Sequence, residues 1–416
     1  MSRRIAVVGA GLAGVSTAYE LAALGCEVQV FERCSSVAEQ ASFAGSALLA
    51  PCVPGLYAVD MPAPLGWRWQ RWRRRHDAGG AAALARLSDL GLARTTQLRH
   101  DLGLDDDATT GLLVALTDAK RLAAAEARRP EWATLGLRVE LLDAASARQR
   151  EPGLNGEAEL AGALAIQPGG AGNARLFAQQ LRLQAQRLGV GFRFHTTVRA
   201  LTADNAGVTL RHEPTPPADV PARSVERDAG DTLPQPLGPQ DERFDAVVLC
   251  NGLDAAALLG QRLPLAAQHE ASVTAPLRVL EAHPDLGPRA AWVDLERGLT
   301  IARTGQRVRV TGGMAITGVK AKAAPDFEAL HRGLQHWFPG SVLHQQVQHG
   351  QSRRAVAADG LPLLGASQRP GIWLNLSPGG QGWGLACGAA QALALQISGQ
   401  AQALADFTPL SPQRLA

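Results

Sequence analysis

The first thirty-two residues constrain the fold more than any other stretch. Residues 5–14 read Ile-Ala-Val-Val-Gly-Ala-Gly-Leu-Ala-Gly, and the next apolar run, Glu27-Val-Gln-Val-Phe-Glu, closes on Glu32. Residues 5–8 predict a buried strand, 15–24 a helix, and 27–32 a second strand. Gly9 allows the tight turn, Gly11 lets backbone N–H groups approach a pyrophosphate, and Gly14 lets the helix pack on the strand. Phosphates would sit on the helix N-terminus, where unpaired N–H groups and the dipole favour an anion. Glu32 lies roughly 20 residues on, where a carboxylate can accept both ribose hydroxyls. A glycine triplet alone is weak; strand, glycines, helix, strand and terminal acid in order predict a dinucleotide site.

At 416 residues the chain exceeds one ordinary domain. Its net charge of +3 is too small to argue for nucleic acid as the main partner. Cys26, Cys34, Cys52, Cys250 and Cys387 are scattered, with no Cys-x-x-Cys and no His/Cys cluster at metal spacing. That usage suits a reducing compartment and argues against a disulfide framework or a metal site. The few residues before Ile5 leave no room for a signal peptide, so a cytoplasmic protein is expected. No run approaches about 20 apolar residues, so no spanning helix is expected.

Residues 41–66 read as loop, 81–102 and 120–128 as helices, 176–188 as an amphipathic helix and 189–198 as a strand. Residues 213–241 are rich in Pro, Asp and Arg and read as an exposed excursion without a chemical role. A buried strand returns at 244–250 and ends in the Asn251-Gly252 turn. Strands at 272–280, 291–294, 299–303 and 307–313 predict an antiparallel sheet. A strand at 371–375 and a glycine-rich approach lead into a helix at 384–397. The nucleotide fold thus uses both ends of the chain. The expectation is a two-lobe α/β (α+β) protein: a doubly wound, Rossmann-like domain and a second, antiparallel-sheet substrate domain. The first lobe takes 1–60, 150–212, 243–262 and 350–416; the second takes 61–149 and 263–349; 213–242 is the excursion.

Eight segments carry a resemblance. They are Val-Val-Gly-Ala-Gly-Leu-Ala-Gly (7–14), Ala-Ser-Phe-Ala (41–44), Arg-Leu-Phe-Ala-Gln (175–179) with Leu-Gly-Val-Gly-Phe-Arg-Phe (188–194), Arg-Val-Arg-Val-Thr-Gly-Gly-Met-Ala (307–315), Asp-Gly-Leu-Pro-Leu-Leu-Gly (359–365), Gly-Trp-Gly-Leu-Ala-Cys-Gly (382–388) and the tail Leu-Ser-Pro-Gln-Arg (410–414). Over essentially the whole chain they resemble the D-amino acid oxidase superfamily of FAD-dependent oxidoreductases, and within it most the small subunit of bacterial D-amino acid dehydrogenases.

The resemblance implies FAD rather than NAD, with Arg33 and Ser42 beside Gly9, Gly11, Gly14 and Glu32 in the cofactor set. It implies backbone contacts from Val198 to adenine and places Asn251 and Gly252 on the diphosphate side. Gly379, Gly380, Gln381, Gly382 and Trp383 would wrap the ribityl chain and the flavin's pyrimidine edge. N–H groups at the start of a helix suit that place, since they stabilise negative charge on a reduced ring. The bland alternative is a helix cap.

Arg354 stands five residues before Asp359-Gly360, where the resemblance implies an arginine that grips the substrate carboxylate. A guanidinium does so with two parallel charge-assisted bonds. Arg353 leaves the register open by one. The chain departs from the family at Gly-Gln-Ser-Arg-Arg-Ala (350–355) for Trp-x-Gly-x-Arg-Pro and at Gly-Ser-Ala-Leu (45–48) for Asn-Ala-Gly-Gln. It departs again at His-Glu-Ala (269–271) for Lys-Gly-Tyr and at Ser-Pro-Gly (377–379) for Gly-His-Gly. These changes bear on the substrate, not on the fold or the cofactor.

No acid–base dyad or nucleophile stands out, in keeping with hydride transfer from the substrate Cα–H to the flavin, where positioning does most of the work. His269 and Glu270 are the one ionisable pair to flag near a pocket, and the expectation is a solvated strand end. Cys387 reads as a small buried helix residue rather than a flavin tether. Residues 67–76, Trp-Arg-Trp-Gln-Arg-Trp-Arg-Arg-Arg-His, carry three Trp and five Arg. Two readings stand open: a helix lying peripherally on an anionic membrane face, or a helix whose Trp side chains pack on the second lobe.

The expected function is oxidation of the C–N bond of an amino acid, D-amino acids foremost, or of a related secondary amine. The imine would hydrolyse to a 2-oxo acid. Dioxygen or a quinone as acceptor is left open. One alternative is an FAD oxidase of a modified tRNA uridine, which would need a broad basic surface. Another is a flavin-bound subunit active only in a hetero-oligomer, kept open by the changed arginine motif. No nucleic-acid partner is expected.

Overall fold

The computed structural model describes residues 2–52, 56, 61–74, 78–219, 238–281, 286–376, 379, 382–400 and 406–415. The fingerprint folds as read. Arg4–Val8 is buried, pairs in parallel with Glu27–Phe31, and sits at the centre of a six-stranded sheet. On its other side lies Ala246–Leu249, also parallel, followed by Ile372–Leu376 and the antiparallel edge strand Leu363–Ala366. Gly191–Arg193 closes the opposite edge. The strand order reverses between Arg4–Val8 and Ala246–Leu249, and ligands of such sheets bind in the crevice at the carboxyl ends of those strands. Gly9 and Asn251 both lie there.

The helix Leu12–Ala23 is buried between the sheet and the helices Ala174–Arg187 and Gly382–Ile397. Val15, Leu21, Phe177, Leu181 and Leu393 share its core. Each large apolar side chain buried in this way contributes roughly 1.5–3 kcal/mol. The long helix Ala78–Leu102, which the sequence places with the substrate lobe, packs instead into this core through Leu84, Leu87, Leu92 and Leu98. The cause is a helix crossing with no side chains at the contact. A Cβ on Gly388 would stand 2.5 Å from the backbone nitrogen of Gly91.

The second lobe rests on an eight-stranded sheet. Its order is Gln348–Ala357, Leu265–Pro276, Arg307–Thr317, Leu299–Thr304, Ala291–Asp294, Leu112–Leu116, Gly162–Gln167 and Arg138–Asp143. All neighbours are antiparallel except Ala291–Asp294 with Leu112–Leu116. In the first three strands side chains alternate with the pleat. Ala271, Val273, Ala275, Val308 and Val310 turn to an apolar core with Leu330, Leu334 and Trp337 of the helix Phe327–Trp337. The other face carries Gln268, Glu270, Ser272, Thr274, Arg309, Thr311, Ser352 and Arg354, paired across the strands.

Two local expectations change. The strand expected at 189–198 is two strands, because His195 takes φ 51° and its N–H donates to the Cys34 carbonyl. Thr196–Asp204 then joins a separate three-stranded sheet with Gly207–Pro214 and Gln240–Phe244. Of the excursion, residues 220–237 lie outside the described residues. Within the expected loop 41–66, Ala41–Ala44 forms one helical turn and Leu48–Leu49 a short strand.

Candidate active site

At the nucleotide end, Gly9 adopts φ 98° and donates its N–H to the Phe31 carbonyl at 2.8 Å. A Cβ on Gly14 would stand 1.9 Å from the Gly9 carbonyl oxygen, so helix and turn touch through bare backbone. Glu32 Oε2 accepts the Ala10 N–H at 2.6 Å, and its Oε1 accepts the Cys34 N–H at 2.9 Å. Arg33 ion-pairs with Asp254 at 3.0 Å and donates to Gln40 Oε1, which ties the end of the second strand to the Asn251-Gly252 turn. Ser42 Oγ accepts the Leu12 N–H at 3.1 Å, in the first turn of the nucleotide helix.

These residues leave room and polar atoms for a dinucleotide. A Cβ on Gly11 would meet only Ser42 Oγ, at 3.5 Å, so the space over the turn is open. Gly252 and Gly379 have positive φ and nothing within 4 Å of an added Cβ. Asn251 Oδ1 and Trp383 Nε1 are buried without a hydrogen-bond partner among the described residues. Buried polar atoms are nearly always bonded, so these two await a partner. Val198 sits at a register shift in its pairing with Gly207–Pro214. Gly382 and Trp383 open the helix Gly382–Ile397, and the Trp383 ring lies against Phe177 and Arg99. Gly380 and Gln381 lie outside the described residues.

The polar sheet face meets this end through residues 41–45. Arg309 donates from Nη1 to the carbonyls of Phe43 at 2.9 Å and Gly45 at 3.3 Å, and from Nε to Thr274 Oγ1 at 3.0 Å. Burial pushes its guanidinium down to about 10, against the pull of Glu270. Arg354 Nη2 would stand 3.3 Å from a Cβ on Gly45, and a Cβ on Gly350 would stand 3.0 Å from Ala44 Cβ. One short segment therefore touches the nucleotide helix through Ser42 and the arginines through Phe43 and Gly45.

Arg354 is turned to this inner face with its side chain only 12% exposed, whereas Arg353 is exposed. Arg354 Nη2 donates to Glu270 Oε2 and, at 3.1 Å, to Ser352 Oγ. Glu270 is thus not the expected solvated strand end. It lies mid-strand, 6% exposed, in an ion pair with the candidate clamp. His269 is half-buried, bonded to Thr317 Oγ1 at 2.9 Å, and burial followed by the nearby Arg353 charge holds its pKa below the ordinary value. Sequence reasoning missed Arg309 and Ser352. Their signal was parity: each falls on the polar register of an alternating strand.

Cys387 is fully buried with its thiol pushed up to about 11, and burial pushes Cys52 and Cys250 to about 12. None is poised as a thiolate. The Trp/Arg stretch forms the helix Leu65–Arg73, with Leu65 81%, Trp69 55% and Trp72 63% exposed. Trp69 and Trp72 therefore do not pack on the second lobe; Trp69 lies under Arg73 at 4.6 Å. Arg75 and His76 lie outside the described residues. Among the described residues no helix is long and apolar enough to cross a membrane.

A doubly wound dinucleotide lobe capped by a polar-faced sheet defines a two-lobe oxidoreductase fold. Comparison with known proteins agrees. The profile of the DAO family, described as FAD dependent oxidoreductase, matches residues 4–396. The D-amino acid dehydrogenase of Cereibacter sphaeroides is 30% identical over 430 residues, covering 96% of this chain and 92% of that protein. Glycine oxidase from Geobacillus kaustophilus superposes with a TM-score of 0.70 at 20% identity, covering 100% of this chain and 99% of that one. L-Amino acid deaminase from Proteus myxofaciens, solved with anthranilate, gives 0.73 at 15% identity, covering 100% and 94%. At these identities the two solved structures speak for the fold alone. The chain belongs to the DAO family of FAD-dependent oxidoreductases and is an enzyme with FAD as its cofactor.

Proposed function

We propose that this enzyme oxidises the C–N bond of an amino acid, D-amino acids foremost, or of a related secondary amine, to an imine that water hydrolyses to a 2-oxo acid. The observation that carries this reading is Arg354, enclosed on the inner sheet face against the segment that also touches the nucleotide helix. FAD, when bound, supplies the hydride acceptor. Arg354 holds the substrate carboxylate and so fixes the Cα–H direction; Ser352 and Glu270 hold Arg354 in turn. Gly9, Gly11, Gly14, Glu32, Arg33, Ser42, Val198, Asn251, Gly252 and Gly379 to Trp383 form the proposed cofactor set. The name of the Cereibacter relative supports the substrate class.

Assaying the purified protein against D-, L- and N-methyl amino acids with an artificial electron acceptor tests this reading. Reduction of the dye by a D-amino acid is expected. No turnover across the panel overturns it. A second reading concerns the acceptor. The exposed Leu65, Trp69 and Trp72 among arginines favour peripheral membrane contact and a quinone over dioxygen. Oxygen consumption that keeps pace with dye reduction counts against it.

A further inference from the structure

We propose that Glu270 binds the substrate's amino group while Arg354 binds its carboxylate, so that the pair selects compounds carrying both groups on one carbon. The inference rests on the amino acid reading above and deepens it. Three observations carry it.

The first is the state of the Glu270 carboxylate. It is 6% exposed, yet only Oε2 is bonded, to Arg354; Oε1 takes no hydrogen bond from any described residue. Unlike Asn251 Oδ1 and Trp383 Nε1, Oε1 is not closed off from the space over this face, so an incoming donor can reach it. Oε1 therefore has capacity for a donor that the described residues do not supply.

The second is charge. The inner face carries Arg354, Arg309 and Glu270. A bare carboxylate placed on Arg354 would share one guanidinium with Glu270, and two like charges at that range repel. An ammonium or amine between the two carboxylates removes the conflict. Charges then alternate around the ring: guanidinium, substrate carboxylate, substrate amine, Glu270. Arg309 does not take this part, since it is bonded to Thr274 and to the carbonyls of residues 43 and 45.

The third is placement. Glu270 and Ser352 are direct cross-strand partners, as are Gln268 and Arg354, so the carboxylate and guanidinium stand diagonally on one pleat. Such neighbours are within reach of long side chains and of one small molecule bridging them. Where the family resemblance has Lys-Gly-Tyr, this chain has His-Glu-Ala, so the acid is this chain's own.

The test is a binding comparison on the FAD-loaded protein with two ligands that cannot be oxidised at Cα. 2-Aminoisobutyrate carries amine and carboxylate on one carbon; isobutyrate lacks the amine. Calorimetry or perturbation of the visible flavin spectrum reads both. The wild type is expected to bind 2-aminoisobutyrate about tenfold tighter than isobutyrate, the scale of one hydrogen bond to a charged group. Glu270→Gln is expected to erase that preference while isobutyrate binds equally or more tightly. Glu270→Asp, which keeps the charge, is expected to retain part of it. If Glu270→Gln weakens both ligands by the same factor, Glu270 only holds Arg354 and the proposal fails. If the wild type binds both ligands alike, it fails without any variant. If the preference holds but no amino acid is turned over, the C–N oxidation reading fails while Glu270 still reads the amine.

Discussion

Glu32 accepts the backbone N–H of Ala10 at 2.6 Å, bonding the residue just past one strand to the turn that follows another. Its second oxygen is held by the Cys34 N–H. Each oxygen keeps a further lone pair, aimed from a fixed carboxylate, for a ribose hydroxyl. Glu32→Gln removes the charge and one acceptor oxygen. Hydrogen bonds to a charged group contribute roughly 1.5–3 kcal/mol, so FAD affinity is expected to fall on the order of 10- to 100-fold. Flavin released on dialysis measures it; unchanged retention would remove Glu32 from the cofactor set.

Gly11 and Gly14 separate binding from folding. Around Gly11 an added Cβ meets only Ser42 Oγ at 3.5 Å, whereas at Gly14 it meets the Gly9 carbonyl at 1.9 Å. Gly11→Val is expected to give a folded, colourless protein, because the side chain fills the pyrophosphate space. Gly14→Val is expected not to fold, because helix and turn cannot separate without opening the core. Circular dichroism together with flavin absorbance distinguishes the two; a yellow Gly11→Val protein refutes the pyrophosphate assignment.

The nucleotide lobe was legible in the sequence because its signals are local. A turn glycine, a helix start and a terminal acid each act within a few residues, and Arg4–Val8 and Glu27–Phe31 fall where they were read. The polar sheet face was not. Alternation tells that Glu270, Arg309 and Arg354 share parity with their neighbours, but not which strands pair, since those pairings span 31 to 92 residues of chain. The placement of Ala78–Leu102 was hidden for a similar reason. Its alanines and leucines fit either core, and its own Gly91 facing the distant Gly388 decides which helix it can approach. The break at His195 needed a left-handed backbone at a residue other than glycine, which no local pattern announces.

The helix Leu65–Arg73 is expected to bind anionic vesicles. Leu65, Trp69 and Trp72 follow an i, i+4, i+7 spacing and are exposed together, with Arg68, Arg71, Arg73 and Arg74 around them. Each basic residue near such a surface contributes about 1 kcal/mol. Replacing Arg71, Arg73 and Arg74 by Gln should lower partitioning on the order of 100-fold at low salt, and Trp69→Ala with Trp72→Ala should lower it in high salt as well. Co-sedimentation measures both. Indifference of the wild type to anionic vesicles would leave the helix without this role.

Stability is expected to fall as the solution becomes acidic, in part through His331. Burial, and the neighbouring His349 and His344, hold its pKa below the ordinary 6.5. The folded state therefore binds this proton less readily than the unfolded state. Stability from this group is full above 6.5 and is lost as pH falls from there through the lower folded value. The melting temperature should drop between neutral pH and pH 5, and His331→Gln should flatten the slope. An unchanged slope in that variant would place the acid sensitivity elsewhere.

Arg354 and Glu270 answer differently when removed singly and together. Arg354→Met takes away the proposed carboxylate clamp and leaves Glu270 enclosed without its cation. Breaking a buried pair on one side costs on the order of 3–5 kcal/mol, so this variant should lose stability as well as activity. Arg354→Lys restores a charge but not a fork, and should recover stability before it recovers kcat/KM. The double variant, Arg354→Met with Glu270→Gln, removes both charges. It should regain most of the lost stability and none of the activity on carboxylate substrates, a coupling that a double-mutant cycle reads directly. Loss of a charged hydrogen bond to substrate corresponds to about one to two decades in kcat/KM. If Arg354→Met keeps full activity and Arg353→Met loses it, the clamp is one residue earlier. If the double variant is no more stable than Arg354→Met, the two side chains do not couple, and their ion pair is not what holds this face of the sheet.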